Sequence, residues 1–381
     1  MNLGIDASTM GSGGGKRHLI EILSCFDLSK HGFSKILIWG NQQILDQIPN
    51  SEYVVKSSHK LLNKGLLHRT LWQLFYREGQ FKSKIDVLFN PFGTYLGKFR
   101  PYATMSRNML VFDKKEQKRF GFSWYRLKFI LLFFIQRASF RNSQGLIFIS
   151  QYAKEAIRNY VDYRQIKTAV INHGISKIFI RPPVTQRQIN SYSSANPLIL
   201  LYVSTVFHYK HQINVVEAVV RLKDKGFPIA LKLVGGIGQK EVGDVLSKQI
   251  KAVDPNNEFI TWEQKVGLTE VAEYYHSSDI FIFASSIENM PNILIEAMAS
   301  GLPIASSSCS PMPEFLENAG LYFNPANTNE IEKVVEKMLN EPELRNRLAN
   351  TSFANANKYS WEVCADKTFH FLFTLSKKIK F

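Results

Sequence analysis

Cysteine is scarce in this chain. Three occur among 381 residues, and Cys25, Cys309 and Cys364 are too far apart to suggest a metal-ligand spacing or a disulfide framework. A reducing compartment fits that usage. The opening residues, Met1-Asn2-Leu3-Gly4-Ile5-Asp6, lack the basic region and apolar core of a signal peptide, so the expectation is a cytoplasmic protein. Long apolar runs are missing as well. The run from Phe129 to Ile135 falls far short of the ~20 residues that a spanning helix needs. There is no G-x-G-x-x-G fingerprint, no Walker A sequence and no Asp-x-Asp metal motif. Internal repeats and low-complexity tracts are absent.

Acidic residues are few in the first half. Residues 1–200 hold 29 Lys+Arg against 11 Asp+Glu, a net +18, whereas residues 201–381 hold 18 against 21, a net −3. That asymmetry points to a polyanion facing one half only: nucleic acid, an anionic membrane surface or an anionic acceptor. No RNA- or DNA-binding motif is present, and the aromatics at 120–134 form one apolar block, not spaced stacking positions. Nucleic acid is therefore not an expected partner.

What is present is a regular alternation. Short apolar runs read as strands at Leu3–Ala7, Lys35–Gly40, Asp86–Asn90, Gly145–Ser150, Ala169–Ile171, Leu198–Val203, Ala230–Val234 and Ile280–Ala284. Helical patterns separate them, which implies α/β architecture with parallel, doubly wound sheets. At this length two full cores are expected. Residues 181–197 are rich in Pro and Ser and lack periodicity. The expected division is a first domain at 1–185, a linker at 186–197, a second domain at 198–360 and a closing helix at 361–381.

The most informative stretch is 285–301, Ser-Ser-Ile-Glu-Asn-Met-Pro-Asn-Ile-Leu-Ile-Glu-Ala-Met-Ala-Ser-Gly. It follows a strand, turns, and enters a helix whose apolar residues Ile293, Leu294, Ala297 and Met298 recur at helical spacing. Pro291 falls where a first helical turn tolerates proline, and Gly301 ends the run. Glu288 then sits at the carboxyl end of a strand and Glu296 near the start of the next helix. In open α/β sheets ligands bind beyond the carboxyl ends of the strands, and a helix start suits a phosphate. Two carboxylates there make sense as acceptors for sugar hydroxyls beside a phosphate held by backbone amides. They also fit an acidic loop and a solvated glutamate favouring the helix dipole.

The Glu288-to-Glu296 spacing resembles the E-x7-E signature of retaining nucleotide-sugar glycosyltransferases, specifically family 4. Ala299-Ser300-Gly301-Leu302-Pro303-Ile304-Ala305, Pro313-Glu314 and Ala319-Gly320-Leu321-Tyr322-Phe323-Asn324-Pro325 are similar to the same family's nucleotide-binding domain. The resemblance covers nearly the whole chain and implies the GT-B fold, two Rossmann-like domains facing a central cleft. It implies transfer of a hexosyl or related sugar, without a cofactor or metal, from a nucleoside-diphosphate sugar as co-substrate. On that resemblance Glu288 holds donor sugar hydroxyls and Glu296 the ribose. Lys210, the amides of Asn289, Met290 and Asn292, and the helix start behind Pro291 would stabilise the departing diphosphate. Family members commonly place an arginine five residues before that lysine, and this chain has Thr205 there, so Lys210 should carry more of the charge.

In the first half, Gly11, Gly13, Gly14 and Gly15 make a loop between a strand and a helix opened by Lys16, Arg17 and His18. Backbone there can approach a phosphate or sugar closely; a mobile glycine turn is the alternative. By the resemblance Gly13 and Gly14 lie over the donor, and Lys16, Arg17, His18 and Arg107 are candidates for an acceptor or anion. A lone histidine in such a place is more often a cap or a surface residue. Arg107-Asn108 stands where many relatives carry a histidine beside the reacting sugar, which makes Asn108 a candidate catalytic group, or a residue that satisfies backbone in a turn. Residues 114–141 place basic residues around an aromatic-rich core. This reads either as a segment lying in a membrane interface, with Lys114, Lys115, Lys118 and Arg119 on anionic lipid, or as a helix packed on the sheet with basic ends in water.

The resulting expectation is a glycosyltransferase that adds a sugar to a hydroxyl of a glycan or lipid-linked acceptor. It would act in cell-envelope polysaccharide synthesis, such as lipopolysaccharide, peripherally on the inner face of the cytoplasmic membrane. The competing expectation is a catalytically silent, membrane-associated scaffold of the same fold.

Overall fold

A computed structural model describes residues 1–10, 14–81 and 84–377. The chain divides into two compact units, Met1–Gly174 with Tyr359–Phe381, and Ile175–Lys358. Gly11, Gly13 and residues 378–381 lie outside the described residues.

The first unit is built on seven parallel strands: β1 (Asn2–Asp6), β2 (Lys35–Trp39), β3 (Val54–Ser57), β4 (Val87–Asn90), β5 (Tyr102–Ser106), β6 (Gly145–Phe148) and β7 (Lys167–Val170). Their order is β3-β2-β1-β4-β5-β6-β7. The second unit has six parallel strands: β8 (Leu198–Val203), β9 (Ile229–Val234), β10 (Ile260–Glu263), β11 (Ile280–Phe283), β12 (Ile304–Ser307) and β13 (Gly320–Phe323). Their order is β10-β9-β8-β11-β12-β13. Central strands such as β4, β6 and β11 are buried along their whole length. Helices cover both faces of such a sheet, so these strands are apolar runs without alternation. In each sheet the winding reverses once, between β1 and β4 and between β8 and β11. A crevice opens beyond the carboxyl ends of the strands at such a reversal.

The boundary falls at residue 174, earlier than the Pro/Ser-rich stretch suggests. Residues 175–197 belong to the second unit and are fastened to it. Arg181 N–H donates to Ala299 O at 3.0 Å, and the Ser300 hydroxyl donates to Phe179 O at 2.8 Å. Gln186 N–H reaches Asn346 Oδ1 at 2.9 Å, and Tyr192 O–H reaches Asp279 Oδ1 at 2.8 Å. Gly301 both ends a helix and lets this segment pass. Its φ is 66°, and a Cβ there would stand 2.6 Å from Pro183 N. Proline and serine mark a segment without regular structure; they do not say whether it is anchored by its neighbours.

The closing helix, Trp361–Lys377, lies in the first unit, as does its approach. Gly174 is where the chain comes close: a Cβ would meet Trp361 N at 2.1 Å. Farther along, Phe371 and Leu375 fill the space over Gly145, and Lys167 Nζ donates to Thr374 Oγ1 at 2.5 Å. Among the described residues no helix is long and apolar enough to cross a membrane.

Candidate active site

The winding reversal of the second sheet brings two loops together. After β8 the chain runs through Ser204 and Thr205 to a single helical turn at His208–Lys210. The left-handed residue His211 (φ 51°) then starts the helix Gln212–Asp224. After β11 it passes Ser285 to Pro291 and enters the helix Asn292–Ala299. Hydrogen bonds to main-chain carbonyls hold these loops. Ser286 N–H donates to Tyr209 O at 2.8 Å, and buried Tyr202 donates its O–H to Lys210 O. Burial pushes the Tyr202 phenol well above its ordinary value, with the Glu288 charge adding to the effect, so it remains a donor at neutral pH.

These ties fix the position of Lys210. Its Nζ donates to Glu288 Oε1 and lies 5.5 Å from the Tyr209 ring and 5.6 Å from the Phe283 ring. The lysine side chain is 10% exposed and the glutamate 18%. An ammonium has three N–H donors, and the pair satisfies one of them while pointing the rest. Asn289, Met290 and Pro291 are buried around the same turn, and Asn292 is half-buried. Proline is the residue before the helix and not its first member, and its own side chain makes no capping bond. The Asn292 N–H donates to Met290 O at 3.0 Å, and Pro291 O accepts from Leu294 and Ile295 N–H. Glu296 is half-buried one turn into the helix, with Tyr275 O–H 3.5 Å from Oε2. Thr205 is exposed and its carbonyl accepts from Gln212 Nε2 at 3.3 Å. Gly235, at the end of β9, is pressed on this loop: a Cβ would sit 2.3 Å from Ser204 O. Lys210, Glu288, Glu296 and the 289–292 turn therefore share one end of one sheet.

The matching family model is described as glycosyl transferases group 1 and covers residues 185–354. This stretch is a glycosyltransferase group 1 domain. An uncharacterized glycosyltransferase of Haemophilus influenzae is 31% identical over 189 residues, 49% of this chain and 52% of that protein. The N,N'-diacetylbacillosaminyl-diphospho-undecaprenol alpha-1,3-N-acetylgalactosaminyltransferase of Campylobacter jejuni is 24% identical over 245 residues, 61% of each chain. The chain thus spans only about half to three-fifths of the length of these two relatives. Sucrose-phosphate synthase of Thermosynechococcus elongatus superposes with a TM-score of 0.75 over 96% of this chain and 97% of that one, at 16% identity. That likeness concerns the fold, which is GT-B.

The glycosyltransferase group 1 domain contains the whole Lys210–Glu296 constellation. The remaining candidates are in the first unit. Gly14 and Gly15 belong to the first turn of the helix Gly14–Ser24, not to a loop; Gly15 packs on Phe92, where a Cβ would meet the ring at 2.6 Å. Lys16 is half-buried and Arg17 lies 3.7 Å from Glu21, one turn on. His18 is neither a cap nor a surface residue. It is fully buried, with its ring centroid 4.8 Å from His173 and 5.9 Å from Trp361. Asn108 Oδ1 accepts from Leu110 N–H at 3.0 Å and caps a short turn, so its amide has a structural task whatever else it does. Arg107 is half-buried; desolvation pulls its guanidinium down to about 10, against the opposing influence of Cys364.

His18 gives a pH prediction. Desolvation first, then the positive charge of Arg107 and of His173, hold its pKa well below 6.5 in the fold. The unfolded chain thus takes up the proton more readily, and stability is full above about pH 6.5 and declines as pH falls below it. The slope approaches about 1.4 kcal/mol per pH unit for one proton. Urea titrations between neutral and acidic pH should show this slope in the wild type and a shallower one in His18→Gln. Equal slopes would remove His18 from the account.

Of the lysines and arginine at 114–119, Lys114, Lys115 and Lys118 are exposed on the helix Lys114–Lys118. Arg119 pairs with Glu116 at 3.1 Å. Sequence reasoning missed Tyr202, Tyr209 and Ser286, which hold Lys210 against Glu288. The tie between Ser286 and Tyr209 runs in part through a main-chain bond, for which side-chain type carries no signal.

Proposed function

We propose that this protein is a retaining glycosyltransferase that moves a sugar from a nucleoside-diphosphate sugar to a hydroxyl of a glycan or lipid-linked acceptor. The observation that carries the reading is the Lys210–Glu288 pair beside the start of the helix Asn292–Ala299 at the winding reversal of the second sheet. Cleavage at the anomeric carbon leaves the diphosphate with added negative charge. Fixed positive groups aimed at that charge lower the barrier. Lys210 supplies a full charge and the helix Asn292–Ala299 its positive end. Glu288 orients the ammonium and accepts from donor sugar hydroxyls with its other oxygen; Glu296 accepts from the ribose. Neither role asks for a metal ion. Retention rests on the resemblance of the E-x7-E arrangement, and NMR of the product's anomeric proton tests it.

The acceptor is read from outside this site. The Campylobacter relative is named for a diphospho-undecaprenol substrate, and the first 200 residues carry a net +18. A lipid-linked saccharide met at the inner face of the cytoplasmic membrane, during envelope polysaccharide synthesis, joins the two facts. Thr205 in the place of an arginine supports the silent-scaffold alternative, and donor hydrolysis separates the two readings.

The test is a thermal-shift screen against free nucleoside diphosphates. A ligand at 100 times its Kd should stabilise the protein by about 2.7 kcal/mol. One base should stand out, and Glu296→Ala should weaken its effect. A screen in which no nucleotide shifts the transition would contradict the proposal.

A further inference from the structure

The helix Trp124–Arg141 is apolar on both sides. Its inner side is seated on the first unit: Phe129, Gln136, Ser139 and Phe140 are buried, Tyr102 O–H donates to Ser139 O, and Ser139 Oγ accepts from Tyr95 N–H at 3.0 Å. A surface helix normally turns polar residues outward. Here Trp124 is 73% exposed, Leu127 57%, and Leu131 and Phe134 59% each. These four recur at spacings of three, four and three, so they form one stripe about 15 Å long at 1.5 Å per residue. Phe122, just before the helix, is fully exposed as well.

The surroundings of the stripe identify its occupant. Residues 114–141 contain eight basic residues and one acidic, Glu116. Glu116 is buried and engaged with Arg119. Lys114, Lys115, Lys118 and Lys128 are exposed. A second copy of this chain, docked face to face about a twofold axis, would set this cationic rim against itself. The stripe is also narrow beside the roughly 800 Å² per partner of a standard interface. An anionic lipid surface meets both demands: its headgroups face the cations and its acyl boundary takes the aromatic and aliphatic side chains.

We propose that this outward face docks in the plane of an anionic bilayer, with Phe122, Trp124, Leu127, Leu131 and Phe134 entering the interface and the lysines on the headgroups. The inference builds on the reading of a membrane-linked acceptor and extends it from surface charge to insertion. Binding therefore has a part that salt does not screen.

The experiment uses the full chain with vesicles of phosphatidylcholine containing phosphatidylglycerol. The wild type should sediment with them and keep measurable binding at about 1 M salt, where the Debye length is about 3 Å. Trp124 emission, taken as the difference from Trp124→Phe, should shift to the blue on binding. The triple variant Leu127→Ser, Leu131→Ser, Phe134→Ser should lose at least tenfold in partitioning at low and high salt. Val245→Ser, an equally exposed position in the second unit, should change nothing. Neutralising Lys114, Lys115, Lys118 and Arg119 should remove the salt-sensitive part alone. The nucleotide thermal shift should survive in the triple variant, so loss of vesicle binding is separate from failure of the glycosyltransferase reading. Unchanged partitioning in the triple variant would overturn the proposal. So would a concentration-dependent dimer that the same three substitutions abolish.

Discussion

Lys210→Ala should lower the turnover of the nucleotide-sugar donor by about 10²–10³-fold, the loss seen when one preorganised donor is removed from a developing negative charge. The side chain is held in place by its neighbours. Tyr202 holds its backbone, Tyr209 and Phe283 flank its ammonium, and Glu288 sets its direction. A group fixed in this way needs no reorganisation when the leaving diphosphate gains charge. The effect should therefore fall mainly on kcat, with a smaller rise in KM for the donor. Lys210→Arg should recover part of it, because charge is kept while the fit to Glu288 changes. Steady-state kinetics with donor hydrolysis as readout checks this. A variant with unaltered kcat would place the diphosphate elsewhere.

Arg345→Ala should cost the second unit about 4 kcal/mol or more, the lower end of ~1–3 kcal/mol for each of four acceptors left unpaired. Arg345 is fully buried. Its Nη1 donates to Met338 O and Leu339 O, the last carbonyls of the helix Thr328–Asn340. Its Nε donates to Gln186 Oε1 at 3.1 Å, and its Nη2 to Arg187 O. One guanidinium therefore closes a helix end and fastens the segment after the unit boundary. Alanine strands four acceptors and opens a cavity. With roughly 2–4 °C per kcal/mol for a unit of this size, the Tm should fall by roughly 10 °C. Arg345→Lys should rescue little, since one ammonium cannot span both ends. A shift no larger than that of a surface control would refute the role.

The strands were legible because a parallel sheet buried on both faces demands unbroken apolar runs, and Ile280–Phe283 is one. The Glu288–Glu296 spacing was legible because a strand end, a turn and a helix start fix the separation of two side chains in sequence. Other features depend on partners far along the chain. Arg345 looks like any helical arginine until Gln186 and Arg187 arrive 159 and 158 residues away. His18 looks like a surface residue at a helix start until His173 and Trp361 close over it. The basic, aromatic stretch at 114–141 left two readings open; the structure packs one side of the helix and leaves Trp124, Leu127, Leu131 and Phe134 bare on the other. Apolar residues around the whole circumference carry no periodic signal to say which side faces in.

The most direct test of the account is a crystal structure of the protein with a nucleoside diphosphate. The account predicts the terminal phosphate within hydrogen-bond reach of Lys210 Nζ and the amides that open the helix Asn292–Ala299, with Glu296 on the ribose hydroxyls. A diphosphate bound away from the ends of β8 and β11, with Glu296 facing solvent, would contradict it.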